Sequence, residues 1–514
     1  MPILTPSGDR RLTSGARRAQ TLSVAYTHYE RLSALDAAFL EVEDENAMMH
    51  VGAVAVFDPG PLSRPDGGFD IERFRRFVES VLQPRYRQRI ERIPLTGDRI
   101  WVDDARFNLH YHVRHLSLPR PGDERLLKRL AGHVMSLPLD HRRPLWELWV
   151  VEGLPKNRFA ILTKAHHCMV DGVGSADLMT ASMQLAPDAT VREPRPWIPR
   201  PAPGGLELAL GEVARRAGPG GAALGALRDA ASHPLRTASA LRAVASGLGE
   251  AFGASLHRTS PTPLNGSIGP HRRFDWLRYD LADVKAVKNR LGGTVNDVVL
   301  ANVAGALRHF LTRRGEDVGR LDFRAMVPVN VRRKEEAGQF GNRVSMLAAP
   351  LPLDEPDPRG RLARVVETTG ALKASHFSEG IETIEEISEW GLTRLFTQLS
   401  RLTALSRPFN IVVTNVPGPQ VEAYLLGCPL RAVYPLVPLY KNQALGIALF
   451  SYDGGLFWGL NADWDALPDL HEMAEALRGD FESLQKAAAD EGGAAREARP
   501  ARPARRARRA KRAS

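Results

Sequence analysis

The residues best suited to chemistry lie in one heptapeptide, His166-His167-Cys168-Met169-Val170-Asp171-Gly172. An unperturbed imidazole titrates at about 6.5, so a neutral, proton-accepting fraction exists near physiological pH, which suits general-base work. Adjacent side chains on extended backbone point to opposite faces, so one histidine faces a cleft and the other points into the structure. Asp171 is placed to orient the loop or an imidazole, and Gly172 allows a backbone turn that a Cβ would obstruct. Two other chemistries use the same residues. His167 and Asp171, one helical turn apart, are a possible pair of zinc ligands, although no HExxH pattern or further ligand set accompanies them. Cys168 is a possible nucleophile, but its neighbour His167 would point away from it.

The elements that must hold this peptide are legible on both sides. Leu145–Val151 and Phe159–Ala165 are short apolar runs separated by a loop with Gly153 and Pro155, the size and spacing of buried strands. Ser175–Leu185 has helical periodicity, so the histidines sit at a strand-to-helix junction. Upstream, Met48–Phe57 reads as a strand closed by Asp58-Pro59-Gly60, and a helix is expected from Ile71 to about Leu82. Composition changes at Pro187. Residues 187–264 are rich in Pro, Gly, Ala and Arg, with helical pieces at Leu206–Arg216 and Leu235–Leu248, and read as a connector whose helices lie on other domains. A second unit, 265–486, is expected to hold a helix at Val295–Leu311 and strands at Phe323–Val331 and Asn410–Asn415. A hairpin over Ala444–Leu460 turns at Asp453-Gly454-Gly455, and a final helix spans Leu467–Leu484. With a first unit at 25–186, a leader over 1–24 and a tail over 487–514, the body is a two-domain α/β protein with mixed strands and helices.

The chain has 514 residues, 43% hydrophobic and 25% charged, which excludes fibrous and wholly disordered classes. Its formal net charge of +10 is concentrated: nine Lys or Arg and one Glu fall between Ala494 and Ser514, leaving the body close to neutral. No nucleic-acid partner is expected, because basic side chains are not spread over a folded face. Cys168 and Cys428 are the two cysteines, which excludes a disulfide scaffold and fits a reducing compartment. Arg10, Arg11, Arg17 and Arg18 near the start are not followed by the apolar run of a secretory signal, and no window has the roughly 18 apolar residues of a spanning helix. A cytoplasmic protein is expected, with any membrane or lipid-droplet association peripheral and the basic tail a possible contact to anionic lipid.

HHCMVDG matches the HHxxxDG signature of CoA-dependent acyltransferases, and the motifs around it resemble those of the bacterial wax ester synthase/diacylglycerol acyltransferase family. The supporting residues are Leu32-Ser33-Ala34-Leu35-Asp36, Met49-His50-Val51-Gly52, Pro144-Leu145-Trp146 and Asn296-Asp297, followed by Phe340-Gly341-Asn342, Asn415-Val416-Pro417-Gly418-Pro419 and Ser451-Tyr452. The likeness runs from about residue 30 to residue 485. It implies a two-domain acyltransferase fold with mixed sheets flanked by helices and a tunnel between the halves, with His167 as base and Asp171 structural. The DFGWG sequence of many HHxxxDG enzymes has no clear copy here.

The other motifs have plain structural readings as well. Pro144, Leu145 and Trp146 do not titrate and read as a cleft wall or packing anchor. Asn296 suits a helix N-cap, and Asp297 favours a helix N-terminus electrostatically. Asn415 and Pro417 end an apolar strand in a rigid turn, and Asn342 follows a glycine in another. The resemblance assigns these residues to shaping the site. It also implies transfer of a long-chain acyl group from acyl-CoA to diacylglycerol or a long-chain alcohol, giving triacylglycerol or wax ester. Acyl-CoA is a substrate, and no cofactor or metal is expected. The alternatives are a related enzyme that esterifies a polyketide or sugar hydroxyl, and a catalytically silent lipid-surface protein.

Overall fold

A computed structural model describes residues 29–66, 68–94, 96–169, 182–217, 258–330, 344–376 and 408–497. The first half contains β1 (Glu30–Arg31), α1 (Ala34–Val42), β2 (His50–Phe57), α2 (Ile71–Val81), β3 (Gln88–Arg92), β4 (Arg99–Asp103), α3 (Leu109–His112), β5 (Val113–Ser117), α4 (Glu124–Ser136), β6 (Trp146–Glu152) and β7 (Phe159–His166). A 3-10 turn over His167–Met169 closes β7, and α5 (Gly205–Ala217) follows. The second half contains β8 (Arg272–Asp280), α6 (Leu281–Leu291), α7 (Val295–Arg313), β9 (Arg324–Asn330), β10 (Val344–Pro350) and α8 (Pro358–His376). It ends with β11 (Ile411–Pro417), β12 (Tyr424–Leu425), β13 (Cys428–Leu436), β14 (Leu445–Tyr452), β15 (Gly455–Asp463) and α9 (Leu470–Glu497). The expected helix at Leu235–Leu248 and most of the one at Ser175–Leu185 lie outside the described residues.

The runs read as buried strands pair side by side. β7 lies between β2 and β6 and is antiparallel to both, in the order β12-β13-β2-β7-β6-β5. Gly52 makes the central pairing possible: a Cβ there would stand 2.0 Å from the carbonyl oxygen of Thr163 on β7. The second sheet runs β10-β9-β11-β14-β15-β8, with parallel pairs at β9/β11 and β11/β14 and antiparallel pairs elsewhere. Its β14–β15 hairpin turns at Asp453 (φ 41°) and Gly454 (φ 74°), both in the left-handed region favoured by Asp-Gly.

The halves exchange structure, which the sequence did not announce. β13, from the second half of the chain, pairs with β2 and extends the first sheet, so the 265–486 unit is not self-contained. Leu425, Cys428 and Leu430 are buried with Phe57, Phe159 and Ile161 of the first half. In the other direction, Phe39, Ala47 and Met49 join the core built by Val298, Val299 and Leu300 of α7 and Ile447 and Leu449 of β14. Fully burying a side chain such as Phe or Met is worth ~1.5–3 kcal/mol, so this exchange ties the halves firmly. α4 adds a third tie, packing Leu127, Ala131 and Val134 against Phe274 and Trp276 of β8.

A small sheet, β1-β4-β3, was not expected. The chain after Pro187 straps onto it. Arg200 forks onto Asp103 at 2.9–3.0 Å, Leu208 of α5 packs on Ile93, Ile100 and Val102, and buried Glu212 accepts from Arg31 and Arg215.

Gly52→Ala drives a Cβ into β7 backbone, and overpacking of this kind costs ~1–3 kcal/mol. Urea unfolding should show that loss; unchanged stability would mean that β2 and β7 are not held this close.

Candidate active site

The 3-10 turn after β7 sets the geometry of the histidine pair. His166 N–H donates to Leu145 O of the segment entering β6 at 2.9 Å, and His167 N–H donates to Met49 O, just before β2, at 2.8 Å. Successive amides thus bond to opposite neighbours, as extended backbone requires. The His166 ring is fully buried, whereas the His167 ring is only partly so and stacks on Phe39 with centroids 3.9 Å apart at 23°. Because Phe39 and Met49 belong to the core of the second half, His167 is held at the seam between the halves.

Behind His167 lies a layer of titratable groups. Glu43, 12% exposed, places Oε2 3.4 Å from His166 Nε2 and 3.0 Å from His141 Nε2, and its Oε1 accepts from Met49 N–H at 3.3 Å. Burial works to raise the Glu43 carboxyl, but the His141 and His166 imidazoles facing it overcome that and hold the group well below the usual carboxylate range. Burial pushes His166 down, with Glu43 opposing, and its Nδ1 accepts the Cys168 N–H, which only a neutral ring can do. His50, opposite His166 in the β2–β7 register, is also driven down, by burial first and then by Lys164. Burial lowers Lys164 to about 8, and its ammonium caps the end of α4 by donating to Val134 O at 3.0 Å and to Leu137 O.

Cys168 is buried and its thiol is pushed well above its ordinary value by burial, then by the charges of Asp36 and Glu43, which removes it as a nucleophile. Its amide N–H donates to His166 Nδ1 at 3.2 Å. Trp146 is anchored by packing. It is 2% exposed, donates Nε1–H to Tyr86 O at 2.7 Å and stacks on His112 at 4.6 Å. Pro144 and Leu145 are buried beside it, and Leu145 acts on the site through the carbonyl that holds His166.

A second cluster sits where α7 begins. The expected cap residue was Asn296, but the N-cap is Thr294, whose Oγ1 accepts from Asp297 N–H while Asp297 Oδ2 accepts from Thr294 N–H at 2.8 Å. Asp297 Oδ1 accepts from Thr369 Oγ1 of α8 at 2.7 Å, so both carboxylate oxygens bind elements of the fold. Asn296, released from capping, accepts through Oδ1 from Asn415 Nδ2 of β11 at 2.6 Å. Asn415 Oδ1 is buried and has no hydrogen-bond partner among the described residues. Pro417 is exposed at the end of the β11–β14 ladder, and Gly418 is required next to it because a Cβ would meet Phe450 Cζ at 2.3 Å and Ser451 O at 2.5 Å. Asn296 lies two residues before Val298, which shares a core with Phe39, so both clusters border one apolar body. Asp171, Gly172 and Asn342 lie outside the described residues.

Residues 32–299 match the wax ester synthase/diacylglycerol acyltransferase catalytic domain, and residues 340–485 match the C-terminal domain of the same family. The chain belongs to this family. It is an acyl-CoA-dependent O-acyltransferase of the class that makes triacylglycerol or wax ester. A putative diacylglycerol O-acyltransferase from Mycobacterium tuberculosis is 32% identical over 496 residues, 93% of this chain and 94% of its own. A probable diacylglycerol O-acyltransferase of the same organism is 32% identical over 460 residues, 87% of this chain and 94% of its own. Among solved structures, the wax ester synthase/diacylglycerol acyltransferase of Marinobacter aquaeolei superposes with a TM-score of 0.64 at 25% identity, covering 90% of this chain and all of that one. The first condensation domain of a calcium-dependent antibiotic synthetase, at TM-score 0.53 and 17% identity over 90% of this chain and 98% of its own, shares the fold.

Sequence reasoning missed three residues of this acyltransferase's site. Phe39 follows the Leu32–Asp36 motif by three residues and carries no chemical signal, and Glu43 and His141 likewise stand outside every motif. Glu43 is one of several acids in Glu41-Val42-Glu43-Asp44-Glu45 before the Met48–Phe57 strand, so nothing singled it out, and a His three residues before Pro144 was the one available hint.

His166→Ala removes the acceptor of a buried N–H, which costs ~1–3 kcal/mol. Chemical denaturation should show it; a variant as stable as the parent would mean that the Cys168 amide does not depend on this ring.

Proposed function

We propose that His167 is the general base that moves a long-chain acyl group from acyl-CoA to the hydroxyl of a diacylglycerol or long-chain alcohol. The reading rests on the partly exposed His167 ring at the seam, set beside a neutral and fully buried His166. His167 takes the alcohol proton as oxygen attacks the thioester carbonyl. The tetrahedral intermediate then expels the CoA thiolate, which takes that proton back from the imidazolium. Both substrates are present together, and no acyl-enzyme forms. The Asn296–Asn415 amide pair supplies neutral donors and acceptors for orienting the reacting groups without a competing charge. The apolar side chains at the seam, Phe39 and Met49 among them, keep water from the thioester. The diacylglycerol acyltransferase names of the relatives favour diacylglycerol as acceptor. Such an acceptor is met at a bilayer or droplet surface. A peripheral contact is proposed; among the described residues no helix is long and apolar enough to cross a membrane.

A positioned base is worth ~10²–10⁴ in rate, so His167→Ala should lose at least ~10²-fold in turnover while keeping its fold. Labelled palmitoyl-CoA is supplied with dioleoylglycerol in anionic vesicles, hexadecanol or a polar alcohol, and the products are separated. Neutral lipid, with enzyme that floats with the vesicles, is expected. A polar ester as the main product would reassign the acceptor, enzyme left wholly in the soluble fraction would remove the surface, and near-normal turnover by folded His167→Ala would remove the base.

A further inference from the structure

Glu43 bridges two histidines of opposite character. His166 is fully buried on β7, whereas His141, on the segment before β6, is 45% exposed and reaches the same Oε2 from the solvent side. The two rings stand edge to face with centroids 5.9 Å apart. The inner ring has one task visible in the geometry: Nδ1 of His166 accepts the Cys168 N–H within the turn that carries His167. An imidazole accepts through only one nitrogen, and only when neutral, so this bond requires the proton on Nε2, the nitrogen that lies 3.4 Å from Glu43 Oε2, an electrostatic contact and not a formed hydrogen bond.

We propose that Glu43 is a positioning residue that holds His166 in the Nε2–H tautomer, so that Nδ1 anchors the turn presenting His167, and that His141 tunes this hold from the surface. The proposal builds on His167 as the base but concerns how that base is held. Protonation of His166 converts Nδ1 from acceptor to donor, sets it against the Cys168 N–H and releases the turn.

Charge decides when that happens. The Glu43 carboxylate favours a proton on His166, and a protonated His141 disfavours it. Other charged or titratable groups face the cluster from neighbouring elements. Arg99 of β4 is paired with Glu41 at 2.8 Å, His50 of β2 and Lys164 of β7 lie on the sheet, and Asp36 of α1 and Arg85 act at Cys168. Among these, His141 combines direct contact with Glu43 and an open path to solvent. A positive charge there acts on the buried ring through the shared carboxylate, without any movement of the backbone.

The test uses the full-length enzyme with 15N-labelled histidine, the His166 signals being assigned by their loss in His166→Gln. The wild-type spectrum should show His166 neutral with its proton on Nε2. Its protonation midpoint should fall by ~0.5 pH unit or more in Glu43→Gln and rise by a similar amount in His141→Gln, because the two changes remove charges of opposite sign. Glu43→Ala should lower kcat ~10–100-fold with KM for acyl-CoA within ~3-fold, as expected when a reacting group is misplaced and substrate binding is not. A proton on Nδ1, midpoints that stay fixed or move in the same direction, or a Glu43→Ala enzyme with wild-type kcat would each overturn the proposal. Because the spectra read His166 directly, they give this answer whether or not His167→Ala is active, so failure of the base assignment is told apart from failure of the tautomer.

Discussion

Two consecutive amide hydrogen bonds govern the site. His166 N–H reaches the β6 side of β7 and His167 N–H reaches the β2 side, at 2.9 and 2.8 Å. With both neighbours fixed, the backbone has no freedom to choose which ring faces inward. His166 enters a polar pocket closed by Glu43, and His167 enters the seam against Phe39. Register is the constraint here, since a slip of one residue in β7 would exchange the two rings. Gly52 guards the register by letting β2 lie close to β7.

Interleaved halves supply the rest. Since β13 completes the first sheet and Phe39, Ala47 and Met49 complete the second core, the surface bearing His167 and the one bearing Asn296 and Asn415 are built on shared packing. The second half has its own internal tie, the Arg361–Asp480 pair at 2.6 Å with both side chains 2% exposed, which joins α8 to α9. Breaking such a pair from one side leaves a bare buried charge, so the helices behind the Asn cluster are held tightly.

Much of this was legible in the residues. The runs around Trp146–Glu152 and Phe159–His166 were apolar enough to be strands, and adjacency alone required one histidine in and one out. The family motifs then selected His167. Three things were hidden for physical reasons. Strand exchange leaves no local mark, because β13 reads as any half-buried strand whichever sheet receives it. Asn296 looked like a cap because Asn is a good one, yet Thr294 with Asp297 forms the reciprocal capping box and frees the Asn for Asn415. Glu43 and His141 are distant in sequence from the histidines they serve, and only the packing of three segments brings them together.

Histidine-selective carbethoxylation with peptide mapping bears most directly on the central claim, that one imidazole of the pair faces the reactants and the other is sealed. Modification of His167 should track loss of acyl transfer one for one and slow when acyl-CoA is bound, while His166 stays unmodified in the folded enzyme. Inactivation that proceeds with His167 untouched, or that follows His166 instead, would contradict the account.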